Sequence, residues 1–306
     1  METRMNNLRT TNHAGRPALT RAFTLVEVLV AVAIIGVLMA VLVPALSKAR
    51  ECTYLTGELV SARELGTAHR MYATDHSGNV PPGFASQTMV TRGEVVAIDQ
   101  NGKRLTGLTA QRYPWRLISY FEYDLGSWYR DRASIESTLK TNGDQNSELF
   151  RYAVSVGPRL GLNQVFVGGS ADTNDGGAYA FNPTYADATR RAWGNNWYVR
   201  RLSDMTRPTE LLVFGTSHGA DPVGGVTLDG FYRVTPPNFF NRRWSTQTPN
   251  PTTTPAQTGN VSFRYSKKAV GCMGDGHAEA LDWAQMQDMR RWAPKATSEN
   301  YVMPPL

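Results

Sequence analysis

Read from the N-terminus, the chain alternates between two kinds of hydrophobic pattern. The first is an unbroken apolar run, Phe23 to Leu46, with one charge, Glu27, near its start. A helix needs about 20 predominantly apolar residues to span a bilayer, so this run predicts a membrane-crossing helix. Pro44 lies near its end and predicts a kink, because proline removes a backbone hydrogen bond. Beyond Pro44 the pattern turns amphipathic. Leu55, Leu59, Ala62, Leu65 or Gly66, His69 and Tyr72 recur at steps of three and four. Ser47, Lys48, Arg50, Glu51, Arg63, Glu64 and Arg70 form the polar complement. The helix therefore continues past the membrane and ends near Asp75–Gly78, where turn residues and then Pro81-Pro82 break it.

The remainder reads as short strands, short helices and turns. Glu94–Ile98 and Leu211–Phe214 are candidate strands. Pro114–Ile118 and Ser147–Val154 are candidate helical segments, and Gly168–Gly177 and Pro236–Gly259 are loops. The clearest local signal is a hairpin. Ala269–Met273 and Ala278–Asp282 flank Asp275-Gly276, a pair that tolerates the positive φ of a tight turn. Asp282 to Trp292 then predicts a closing helix with Met286, Met289 and Trp292 on one face. The fold class expected is α+β: a long N-terminal transmembrane helix packed against a β-rich C-terminal head. The expected divisions are 1–22, a polar leader; 23–76, the helix; and 77–306, the head.

Charge adds a topology. The chain of 306 residues has a formal net charge of +6. The segment before Phe23 holds Arg4, Arg9, Arg16 and Arg21 against Glu2, half of that excess. Arginine flanking a membrane helix marks the cytoplasmic side, which places the head outside the cytoplasm. No basic cluster is interleaved with aromatics, so a nucleic-acid partner is not expected. Cys52 and Cys272 form no CxxC and no metal-ligand spacing; a disulfide between them and two separate thiols both stay open.

A carboxylate such as Glu27 inside an apolar helix costs about 2.5–3.5 kcal/mol on insertion scales and calls for a reason. Phe23-Thr24-Leu25-Val26-Glu27, the apolar helix after it and Pro44 resemble the class III signal of type IV pilins and type II secretion pseudopilins. The resemblance implies cleavage by a prepilin peptidase between Ala22 and Phe23, where the family usually has Gly before the cut. It also implies N-methylation of Phe23, an assembly role for Glu27 and Pro44, and a place as a filament subunit. Partners would be other pilin or pseudopilin subunits, the inner-membrane assembly platform and membrane lipid. The chain would be a single-pass inner-membrane protein with its head periplasmic or extracellular. Glu27 has a use in that setting, since it neutralises the new amine of a neighbouring subunit. The C-terminal hairpin is similar to an H-x9-DG signature of planctomycete-type pilin-like proteins. Asp275-Gly276-His277 matches its end, and Tyr265 stands where the family has histidine.

Several other motifs carry chemistry in principle. An ordinary secretory signal cleaved at Ala45-Leu46-Ser47 is a weaker match, because its apolar core is too long and contains Glu27. Gly215-Thr216-Ser217-His218-Gly219 fits the nucleophile-elbow pattern, but turn residues follow it where the elbow needs a helix. Asp275 and His277 lack an evident third metal ligand. Asp172, Asn174 and Asp175 supply oxygen ligands at loop spacing for a possible calcium, without matching an EF-hand. Trp115, Trp128, Trp193, Trp197 and Trp244 suit a sugar-binding surface or, more commonly, a core. No catalysis and no obligatory cofactor are expected. The rival to the filament subunit is a signal-anchored periplasmic hydrolase or binding module that does not polymerise.

Overall fold

The computed structural model describes residues 24–126, 128–129, 147–172, 180–222, 225–236, 244, 250 and 252–304. The chain divides into two compact units, Met1–Arg50 and Glu51–Leu306.

Helix α1 is a single element, Leu25–Asp75, whose helical assignment continues through Pro44. Within the first unit its side chains are exposed throughout, among them Leu25, Leu29, Val37 and Val41. The helix is long and apolar enough to cross a membrane. An apolar surface with no protein over it is what a helix built for lipid or for other helices presents.

In the second unit the rest of α1 buries one stripe: Glu58, Ser61, Ala62, Leu65, Gly66, Ala68, His69, Tyr72 and Ala73. The amphipathic spacing in the sequence identifies this stripe, except for its carboxylate. The stripe lies on a four-stranded antiparallel sheet. Its strands are β1 (Leu160–Leu162), β2 (Leu212–Thr216), β5 (Lys268–Met273) and β6 (Ala278–Asp282), in spatial order β1-β2-β5-β6. A separate ribbon pairs β3 (Gly219–Ala220) with β4 (Thr227–Leu228).

Both faces of the main sheet are covered, so β2 and β5 read as nearly continuous apolar runs. Side chains alternate across a strand. Val270 and Cys272 of β5 join the core that holds the α1 stripe, together with Phe214, Tyr113, Trp115 and Phe150. Ala269 and Met273 join a second core with Trp197, Trp244, Met286 and Trp292. The helix comes close because Gly66 has no side chain. A Cβ there would stand 2.5 Å from Cys272 Sγ and 3.4 Å from Gly276 Cα.

The predicted hairpin is present as β5–β6, in register from Lys268↔Asp282 to Cys272↔Ala278. Its turn differs in type from the two-residue one expected. Gly276 N–H donates to Met273 O (2.9 Å), and positive φ falls on Gly276 alone (92°). This is a three-residue loop that ends in a left-handed glycine. The predicted helical segments also form. After the short helix α3 (Gly107–Gln111), Pro114–Leu117 is α4. Glu148–Val156 is α5, capped by Ser147, whose side chain accepts from Phe150 N–H, and Pro183–Trp193 is α6.

Two expectations fail for local reasons. Glu94–Ile98 is not a strand. Gly93, at φ 75°, caps the short helix α2 (Gln87–Arg92), and the N–H groups of Glu94 and Val95 both return to Met89 O, which leaves them unavailable for a ladder. Asp282–Trp292 is not one helix. Asp282 caps α7 (Trp283–Met286), and Asp288 then accepts from Arg290 N–H and starts a separate 3-10 turn, Met289–Arg291. A side chain competing for backbone N–H is how Asp interrupts a helix. Met286, Met289 and Trp292 are nonetheless all buried together.

Candidate functional site

The processing residues suggested by the sequence, Ala22 and Phe23, lie outside the described residues. Description begins at Thr24, which forms a reciprocal cap with Glu27. Thr24 N–H and Oγ1–H donate to Glu27 Oε2 at 2.8 and 2.9 Å, and Glu27 N–H donates back to Thr24 Oγ1 at 3.2 Å. This is the capping-box arrangement of Thr-x-x-Glu, which satisfies N–H groups that a helix start otherwise leaves open. The carboxylate also sits at the positive end of the helix dipole. Glu27 is exposed, so the cap leaves it accessible to another molecule.

The second unit holds a different constellation, in which helix α1 meets the head. Glu58 is fully buried, and its Oε2 accepts from Arg159 Nη2 (2.8 Å), Arg159 Nε (3.2 Å) and the Tyr265 hydroxyl. Arg159 Nη2 also donates to the Tyr265 oxygen at 3.1 Å. Burial, and next the neighbouring Glu58 charge, pushes the Tyr265 hydroxyl up to about 12, so it keeps its proton and donates it to the carboxylate. Removing one partner of such a desolvated pair costs far more than the pair contributes.

Two turns extend this attachment. Ser266 Oγ–H donates to Glu51 Oε1 at 2.7 Å. At the other end of β5, Arg70 Nη1 donates to Asp275 O at 2.5 Å. Asp275 Oδ1 accepts from His277 N–H (3.1 Å) and meets His277 Nδ1 at 2.6 Å. Burial works to raise the Asp275 carboxyl, but the hydrogen bonds and charge of His277 outweigh it and hold it below its ordinary value. Tyr265, Asp275 and Gly276 thus all lie along the α1 contact, whereas His277 is exposed and closes the turn from outside.

Among the described residues, the other candidate groups are held by structural contacts. Ser217 is buried. Its hydroxyl lies within hydrogen-bond distance of the carbonyls of Pro158, Arg159 and Phe231 and accepts from Phe231 N–H, so it is a strand-end anchor. Asp172 Oδ2 is taken up by Arg233 Nη1 (2.7 Å) and the Tyr232 hydroxyl (2.9 Å). Asn174 and Asp175 lie outside the described residues. Among the described residues no group of three or more His, Cys, Asp or Glu side chains could hold a metal. Trp115, Trp128, Trp193, Trp197 and Trp244 are all buried, which is the core reading of the tryptophans. Cys52 is exposed and Cys272 buried, both as free thiols.

Sequence reasoning missed Glu58 and Arg159. Glu58 sits three residues after Leu55 and seven before Leu65, on the stripe the periodicity marked as buried. A carboxylate on that stripe is itself a signal that a cation must come from elsewhere.

Residues 19–43 match the family described as the prokaryotic N-terminal methylation motif. No curated protein and no solved structure matches the chain. The motif implies prepilin-type processing, and the long apolar helix joined to an α+β region is a pilin-like architecture.

Proposed function

We propose that this chain is a structural subunit of a type IV pilus-like or type II secretion filament. The observation that carries the reading is the methylation motif over residues 19–43, set on a helix whose apolar side chains are exposed. In this reading a prepilin peptidase removes residues 1–22 by cutting between Ala22 and Phe23. The new amine of Phe23 is methylated, and Glu27 of one subunit neutralises the amine of the next. The leader stays cytoplasmic, residues 23–46 cross the inner membrane, and the head from residue 77 on is periplasmic or extracellular. Assembly would draw on an inner-membrane platform and on other pilin or pseudopilin subunits. The work is mechanical. The clasp of Glu58, Arg159 and Tyr265 supports it, because a subunit under load needs its head fixed to its helix.

One observation favours a second reading, a membrane-anchored head that does not polymerise. The Thr24–Glu27 capping box gives the carboxylate a local use, independent of any neighbour. Processing is common ground for both readings. Mass spectrometry of membrane-extracted protein should find an N-terminus at methylated Phe23, and Met1 or Lys48 as the terminus would contradict it. Assembly separates the two readings.

A further inference from the structure

A cavity of about 690 Å³ opens beside the β2–β3 connection, between the segment 258–267 and the start of α7. That volume is in the range of small-molecule sites. Its apolar wall is formed by Val261, Phe263 and Trp283, the last two rings in edge contact at 5.3 Å.

The polar groups around it decide what it accepts. His218 Nε2 is bonded to Thr258 Oγ1 (3.1 Å), and Asn250 Oδ1 caps its own turn by accepting from Thr252 N–H (3.0 Å). Asp282 is committed to the α7 cap, accepting from Gln285 N–H at 2.9 Å. Arg264 is paired with Asp229 (3.0 Å) and Ser217 O. Lys267 is different: it is exposed, lines the cavity, and has no ion pair among the described residues.

The backbone under Lys267 points the same way. Ser266 and Lys267 occupy both central positions of a two-residue hairpin turn, at φ 45° and 65°, closed by Tyr265 and Lys268. Asn-Gly would fill that turn without strain. Non-glycine residues held left-handed persist where the surrounding structure fixes them, and they cluster at functional sites. Ser266 is used on Glu51; Lys267 is exposed and lines the cavity.

We propose that this cavity binds an amphiphilic monoanion, a medium-chain carboxylate whose apolar body lies on Phe263 and Trp283 and whose carboxylate meets Lys267. The test uses the full chain in nanodiscs with a diazirine-bearing decanoate, matched decanol and decylamine probes, and mapping of crosslinked peptides. The decanoate probe should label the peptides holding Phe263 or Trp283, saturably, with competition by unlabelled decanoate. Lys267→Asn should cut that labelling about tenfold while leaving the decanol signal unchanged. Because Asn tolerates the left-handed turn, the same variant should melt no lower than wild type. The proposal is overturned if labelling is non-saturable or falls elsewhere, if decylamine labels as well as decanoate, or if Lys267→Asn is labelled like wild type.

Discussion

Two glutamates on one helix carry different burdens. Glu27 stands among exposed apolar side chains, and its bonds are local, to Thr24 three residues before it. Glu58 is fully buried, and its partner, Arg159, comes from 101 residues further along the chain. A carboxylate in apolar surroundings is retained only with a partner. Glu58 has found a full counter-charge within its own chain. Among the described residues Glu27 has hydrogen bonds but no cation within reach, and in the proposed function its charge is met by another subunit. One half of α1 thus has its electrostatics settled by folding, and in the proposed function the other half has them settled by assembly.

The largest effect should come from leaving the settled pair half-made. Arg159→Met strands the Glu58 charge and should lower head stability by about 3–5 kcal/mol, whereas Glu58→Leu combined with Arg159→Met should recover most of the loss. Denaturant melts followed by near-UV circular dichroism measure both. Glu27→Leu in the same assay should leave the head unchanged, and an equal loss there would collapse the distinction between the two glutamates.

A second effect sharpens how dry the settled half is. His69 is fully buried against Phe214, and burial pulls its imidazole down to about 3. The unfolded chain takes up a proton near pH 6.5 and the folded chain does not. Stability should therefore be flat above about pH 6.5 and fall as the pH drops toward 3, by about 2 kcal/mol between pH 7 and pH 5. His69→Leu should remove that slope. A wild-type head equally stable at pH 7 and pH 5 would mean that His69 is wet.

The smallest effect tests the close approach of helix to sheet. Gly66→Ala places a methyl group against Cys272 Sγ and should cost about 1–2 kcal/mol, and Cys272→Ala in the same chain should return part of it. Strict additivity in thermal melts would show that the two positions do not touch.

Much of this architecture was legible because its signals are local. The hairpin turn at Asp275-Gly276, the helical segment from Ser147 and the three- and four-residue spacing along α1 each lie within a few neighbouring residues. The Glu58–Arg159–Tyr265 clasp was not, because no local pattern joins residues so far apart in the chain. Glu94–Ile98 has strand composition, but Gly93 turned its backbone N–H groups back on α2. The closing helix is interrupted because the Asp288 side chain accepts from Arg290 N–H, a competition that the apolar spacing of Met286, Met289 and Trp292 does not report. Thr24-x-x-Glu27 is a capping box readable from sequence alone.

That capping box supplies the most direct test. Glutamine at the same position still accepts from Thr24 and so keeps the cap, while its charge is gone. Glu27→Gln, compared with wild type at matched membrane levels, should insert and be processed to Phe23 normally. It should nevertheless fail to enter sheared-surface filaments or periplasmic crosslinks between subunits. If Glu27→Gln assembles as well as wild type, the carboxylate serves only to cap its own helix, and a non-polymerising anchored head replaces the filament subunit.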